Sequence, residues 1–273
     1  MGSAESLPAP QKAGAPYAAV RPDIRTFDLL LFRGKDPASS AVAAVQRCFT
    51  GYGEYTHVGV AVRGGDLPGT ERGRLYVWES TASGPLGDGV PDVTGRAFVG
   101  VQLRDYDEVA RAYDRHPDTR LAWAPLLAAG RAHLAAADPT AARDPARGFS
   151  PGSGRLADLF ADLNGTRYDA ACCALLGSVN WVCRPFRAVE RCLCPVTRDW
   201  LFCSELVCLV YQHVGLIPAD VDARDALPVD FVTAPEGGTY DADGSVPEIL
   251  APPVRMTLYP APPPEYTRDG GPR

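Results

Sequence analysis

The chain is poor in lysine, in methionine and in long apolar runs. Lys12 and Lys35 are the two lysines among 27 basic residues, a bias that reads as GC-rich coding more than as function. With a net charge of −6 there is no basic excess, so a broad nucleic-acid-binding surface is not expected. No stretch approaches the roughly 18 consecutive apolar residues of a membrane-spanning helix. Residues 1–23 lack a charged start followed by an apolar run, so no secretory leader is expected. An intracellular, most simply cytoplasmic, location follows as the expectation. No internal repeat is apparent.

What is present suits a folded enzyme-sized domain. The 273 residues are 46% hydrophobic and 22% charged, enough to bury a core. The 27 glycines and 26 prolines imply many turns. Eight cysteines stand at 48, 172, 173, 183, 192, 194, 203 and 208. Without a secretory route they are expected to be free thiols, not a disulfide framework. The cluster between Cys172 and Cys194 contains no C-x₂-C pair, so zinc is not expected and no metal or cofactor is assigned.

Both ends read as tails. Residues 1–23 are rich in Ala, Pro and Gly, and 236–273 return to Pro, Gly and Asp, compositions that favour disorder. Met1-Gly2-Ser3-Ala4-Glu5-Ser6 matches the loose myristoylation pattern. The plain reading is a terminus of small residues, since no basic cluster supplies the second membrane signal. Acylation of Gly2 would permit peripheral membrane contact. Between the tails, 24–235 reads as one α+β domain with a loop insertion at 138–154. Periodicity predicts strands at 28–33, 56–62, 75–79, 99–103, 120–124 and 255–258. It predicts helices at 39–49, 107–113, 128–137, 156–163, 168–179 and 200–214.

Three residues stand out chemically. Cys203 opens an apolar helix, where unpaired amides and the helix dipole favour a thiolate or a developing oxyanion. The plainer alternative, a small buried hydrophobe, fits Cys208 better. His57 starts a β-branched strand and can take or return a proton. It shares a strand face with Gly59 and Ala61. Those small neighbours are expected to leave room over the imidazole for a helix start. Glu79 ends the 75–79 strand on the face of Leu75 and Val77 and needs a partner there. An imidazolium is one candidate; Arg33 or Arg104 is the structural alternative. Glu205 competes as the carboxylate but points away along the helix and suits the helix dipole. His116, His133 and His213 are weaker candidates.

Five motifs in order carry a resemblance: Asp28-Leu29-Leu30-Leu31-Phe32-Arg33-Gly34, Tyr55-Thr56-His57-Val58-Gly59, Trp78-Glu79-Ser80, Gly165-Thr166-Arg167-Tyr168-Asp169 and Phe202-Cys203-Ser204-Glu205-Leu206-Val207. Together they resemble the circularly permuted NlpC/P60 group of papain-like enzymes, most of all its YiiX/YaeF-type branch, which has poxvirus relatives. In that group the histidine strand precedes the cysteine helix, as here. The resemblance spans residues 28–230. It implies a permuted papain-like fold, an antiparallel sheet or small barrel packed against the cysteine helix. It also implies Cys203 as nucleophile, His57 as general base, Glu79 as orienting third member and Tyr168 near the substrate.

The expected activity is hydrolysis of an amide or peptide bond through a thioester, without cofactor. A lipid acyltransferase or phospholipase of the lecithin-retinol acyltransferase type shares the permuted order. That group carries a second histidine as third member and an Asn-Cys-Glu-His helix start, where this chain has Glu79 and Phe-Cys-Ser-Glu. A third reading is a non-catalytic binding or virion protein that keeps the fold. The expected partners are a peptide, amide or lipid substrate.

Overall fold

Alternating β-branched and aromatic residues build the centre of the molecule. The structure, a computed structural model, describes residues 14–34, 37–50, 52–81, 88–114, 119–137, 152–168, 200–232 and 249–258. Its strands are β1 (Ala15–Pro16), β2 (Leu29–Arg33), β3 (His57–Arg63), β4 (Leu75–Thr81), β5 (Gly100–Asp105), β6 (Arg120–Ala124), β7 (Arg167–Tyr168), β8 (Trp200–Leu201) and β9 (Val254–Thr257). Its α-helices are α1 (Tyr17–Val20), α2 (Pro37–Thr50), α3 (Tyr106–Asp114), α4 (Ala128–Ala137), α5 (Ser153–Leu163) and α6 (Cys203–His213).

The strands form one α+β sheet in the order β1-β9-β6-β2-β3-β4-β5-β7-β8. The middle pairs are antiparallel, whereas β1–β9 and β7–β8 run parallel. The sheet is therefore mixed, not purely antiparallel. Among the described residues its order is linear, with no pairing that closes it into a barrel.

Both faces are buried, as the unbroken apolar runs in β2, β3 and β4 require. On one face Val58, Val60, Val62, Trp78, Val101 and Leu103 pack with Leu206, Val207 and Val210 of α6. On the other, Leu30, Phe32, Ala61, Leu75 and Val77 pack with Tyr106, Val109 and Ala110 of α3. The cysteine helix thus lies on the valine face of β3. It does not cover the His57-Gly59-Ala61 face, where a helix start was expected; α3 occupies that side.

The N-terminal tail expected through residue 23 is folded in part. Ala15 and Pro16 pair with Met256 and Thr257. Tyr17 is buried and donates from its hydroxyl to Asp107 at 2.6 Å, and Arg21 donates to the same carboxylate. Composition hid this: one aromatic in an Ala/Pro-rich stretch brings enough apolar area to anchor it. The expected C-terminal tail, 236–273, likewise contains β9, held between β1 and β6 with Met256 buried. The helix expected at 200–214 begins only at Cys203, because Trp200 and Leu201 pair with Arg167 and Tyr168 as strand. Tyr168 belongs to β7, and the rest of the helix expected at 168–179 lies outside the described residues. So do 138–151 of the expected insertion, with α5 starting at Ser153. The cysteines from 172 to 194 and His116 also lie outside them.

One strained residue ties α6 to the sheet. Phe27 is non-glycine yet has φ 72°, a costly conformation. Its N–H donates to Ala61 O at 3.0 Å. Its carbonyl accepts from the buried Tyr211 hydroxyl of α6 at 2.7 Å.

Candidate active site

The sheet register brings the carboxylate to the histidine. Val60 pairs with Trp78, and continuing that register sets Gly59 opposite Glu79. A Cβ on Gly59 would lie 2.6 Å from Val77 Cγ2 and 3.0 Å from Glu79 Cβ. The missing side chain leaves the Glu79 stem its space, and the carboxylate reaches along β3 to His57. His57 Nε2 hydrogen-bonds Glu79 Oε2. Phe32 flanks the imidazole with ring centroids 5.3 Å apart.

The thiol arrives from the other side of the strand start. Ser80, the residue after Glu79, donates to Leu201 O at 2.6 Å. That bond pins the segment before Cys203 to β4. Ser204 Oγ donates to Ala226 O at 2.5 Å and fixes the helix start from the far side. Cys203 is then the first residue of α6, and its sulfur lies near enough to the His57 ring to raise the basicity of the imidazole. The first-turn N–H groups, those of Cys203 and Ser204 among them, have no partner within the helix.

Glu205 plays another part. Its carboxylate accepts from Phe202 N–H at 3.3 Å, half of a capping box at its own helix start. Tyr168 lies beside Phe202, with ring centroids 5.9 Å apart, so it neighbours the residue before Cys203. Arg33 is directed elsewhere and donates to Gly53 O at 3.2 Å. His133 lies against Gly215, beyond the last turn of α6, away from Cys203. Cys208 is buried in the core, and burial, with Asp230, Glu205 and Asp222 nearby, pushes its thiol up to about 12.

Electrostatics set the charge states. Burial acts to lower the His57 pKa, but the Cys203 sulfur and the Glu79 carboxylate outweigh it and raise the ring to about 10. Burial acts to raise Glu79, but Arg104 and His57 prevail and hold it at about 2. Glu79 therefore meets an imidazole and a guanidinium at once. Oε2 meets His57, and Oε1 accepts from Arg104 Nε at 2.7 Å. Arg104 in turn grips Asp88, a residue with no sequence signal beyond an Asp-Gly turn. Cys203 is buried, and the side chain of His57 is 13% exposed. Among the described residues, no group of three or more His, Cys, Asp or Glu is placed to hold a metal ion. No helix among them is long and apolar enough to cross a membrane.

No protein-family model matches the chain, and no curated protein matches it. Among solved structures it is similar to the metalloprotein YiiX from Escherichia coli O157:H7. The identity is 16%, the TM-score 0.36, and the match covers 70% of this chain and 66% of that one. A likeness of that size assigns neither family nor activity, and the chemistry rests on the site's own geometry.

Proposed function

We propose that this protein is a cysteine hydrolase that cleaves an amide or peptide bond through Cys203, His57 and Glu79, on a permuted papain-like fold. One observation carries the reading: a single imidazole is hydrogen-bonded to the Glu79 carboxylate and has its basicity raised by the nearby Cys203 sulfur. Chain order, with the histidine strand first and the cysteine helix last, supports the permuted arrangement.

His57 takes the Cys203 proton, a direction favoured by the raised basicity of the ring. Sulfur attacks the substrate carbonyl carbon, and the carbonyl π pair moves to oxygen. The N–H groups of Cys203 and Ser204 stabilise that oxyanion. Collapse expels the amine, which leaves with the proton from His57, and a thioester remains. His57 then deprotonates water, whose oxygen attacks the thioester; the acid departs and Cys203 regains its proton. Glu79 holds the ring orientation and stabilises the imidazolium throughout. Because Cys203 is buried, substrate must displace whatever covers it.

The test is intact-mass trapping of an acyl-Cys203 adduct from a panel of peptide amides, N-acyl amines and lipid esters, with Cys203→Ala as control. An adduct from the amides supports the reading. An adduct only from lipid esters reassigns the same residues to an acyltransferase or phospholipase. No adduct from either class points to a binding protein.

A further inference from the structure

Beyond His57 and Glu79 lies a second buried ion pair. Arg104 on β5 is almost wholly buried, and so is the side chain of Asp88, which precedes that strand. Arg104 Nε and Nη2 both meet Glu79 Oε1, at 2.7 and 2.6 Å. Arg104 Nη1 donates to both Asp88 oxygens, at 2.7 and 2.8 Å, and lies 3.5 Å from Val90 O. Asp88 Oδ1 also accepts from Val90 N–H at 3.0 Å.

The order of charges matters. A guanidinium alone beside Glu79 would neutralise the carboxylate and repel an imidazolium. Two carboxylates against one guanidinium leave one negative charge for His57 to balance. In a buried site solvent screens that difference much less than at the surface. We propose that Asp88 and Arg104 are a positioning pair for His57: Arg104 fixes the Glu79 carboxylate, and Asp88 cancels the guanidinium so that Glu79 keeps its charge for the imidazolium. The catalytic meaning of the pair rests on the hydrolase reading above.

The groups facing the ring come from several elements. They are Cys203 of α6, Glu79 of β4, and, through Glu79, Arg104 of β5 and Asp88. Tyr106 of α3 also bears on them: its phenol packs edge-on against Phe32 and senses the Glu79 charge. Apart from Cys203, which is alanine in the parent and variants alike, only Asp88 and Arg104 change in the comparison below.

The experiment is an NMR titration of the His57 ring in the full chain, in a Cys203→Ala background so that sulfur does not titrate with it. His57→Gln assigns the signal. Asp88→Asn is expected to lower the titration midpoint by about one pH unit, a tenfold weaker hold on the proton. Adding Arg104→Gln to Asp88→Asn restores the single negative charge, so the midpoint is expected to return to the parent value. A purely structural pair would show no such rescue. An unmoved midpoint in folded Asp88→Asn, or a double variant that falls further, overturns the proposal. Should Asp88→Asn not fold alone, the double variant is compared with the parent; equality supports the proposal and a lower midpoint overturns it. No substrate enters this measurement. A shifted and rescued midpoint without any acyl adduct sinks the hydrolase reading and leaves the charge relation standing. Adduct formation with an unmoved midpoint does the reverse.

Discussion

His57 and Glu79 meet through a glycine. The carboxylate stands opposite Gly59 and reaches Nε2 of His57 because no side chain fills the space between them. Gly59→Ala would place a methyl 2.6 Å from Val77 Cγ2, so Val77 and the stem of Glu79 must shift. The expected cost is about 1–3 kcal/mol of stability, typical of overpacking. A fall in Cys203 reactivity at neutral pH should accompany it. Urea denaturation and thiol labelling of one preparation measure both, and full reactivity in a folded Gly59→Ala variant would contradict the account.

Removing the acid–base partner should hurt chemistry more than folding. His57→Ala is expected to reduce turnover of any substrate found by about 10²–10⁴-fold. Glu79→Gln keeps the shape but loses the charge that stabilises the imidazolium. It also leaves Arg104 with Asp88 alone. Steady-state rates with matched thermal melts separate the two effects.

Stability should vary with pH through this pair. The folded-state pKa of His57 is raised from the ordinary 6.5 to about 10. Its stabilising contribution is therefore complete below 6.5 and is lost as pH rises from there through about 10. Glu79 is lowered from 4.5 to about 2, so its contribution is complete above 4.5 and is lost as pH falls through about 2. Urea midpoints from pH 6.5 to 10 should decline more steeply in the parent than in His57→Gln. Parallel curves would show that His57 is not held protonated by the fold.

Tyr211→Phe tests how α6 is tied down. The variant keeps the ring but strands the Phe27 carbonyl, which now accepts the hydroxyl. Leaving a buried acceptor unsatisfied should cost about 1–3 kcal/mol, read as a lower urea midpoint with unchanged slope.

The candidate site was more legible in sequence than its surroundings. Alternation around His57 and the apolar helix after Cys203 are local patterns, and local patterns report on local structure. Glu79 was identifiable because a carboxylate in line with Leu75 and Val77 needs a partner. That it has two, His57 and Arg104, depends on strand order, which no local pattern encodes. Asp88 lies in a loop and reaches the site only through the fold. In the sequence Gly59 suggests open space for a helix, yet in the fold it makes room for Glu79, since periodicity tells which residues share a face but not what covers it. The pairing of β1 with β9 joins residues near opposite ends of the chain, in segments whose composition suggested tails.

The central claim is that His57 activates Cys203. The direct measurement is site-resolved mass spectrometry of iodoacetamide labelling across pH, in the parent and in His57→Ala. Cys208, its thiol pushed up to about 12 by burial, is the internal control. The account predicts rapid labelling of Cys203 at about pH 6, where an unperturbed thiol with pKa near 8.5 is slow, far ahead of Cys208 and lost in His57→Ala. Labelling of Cys203 that rises only above about pH 8 and ignores the His57→Ala change would contradict it.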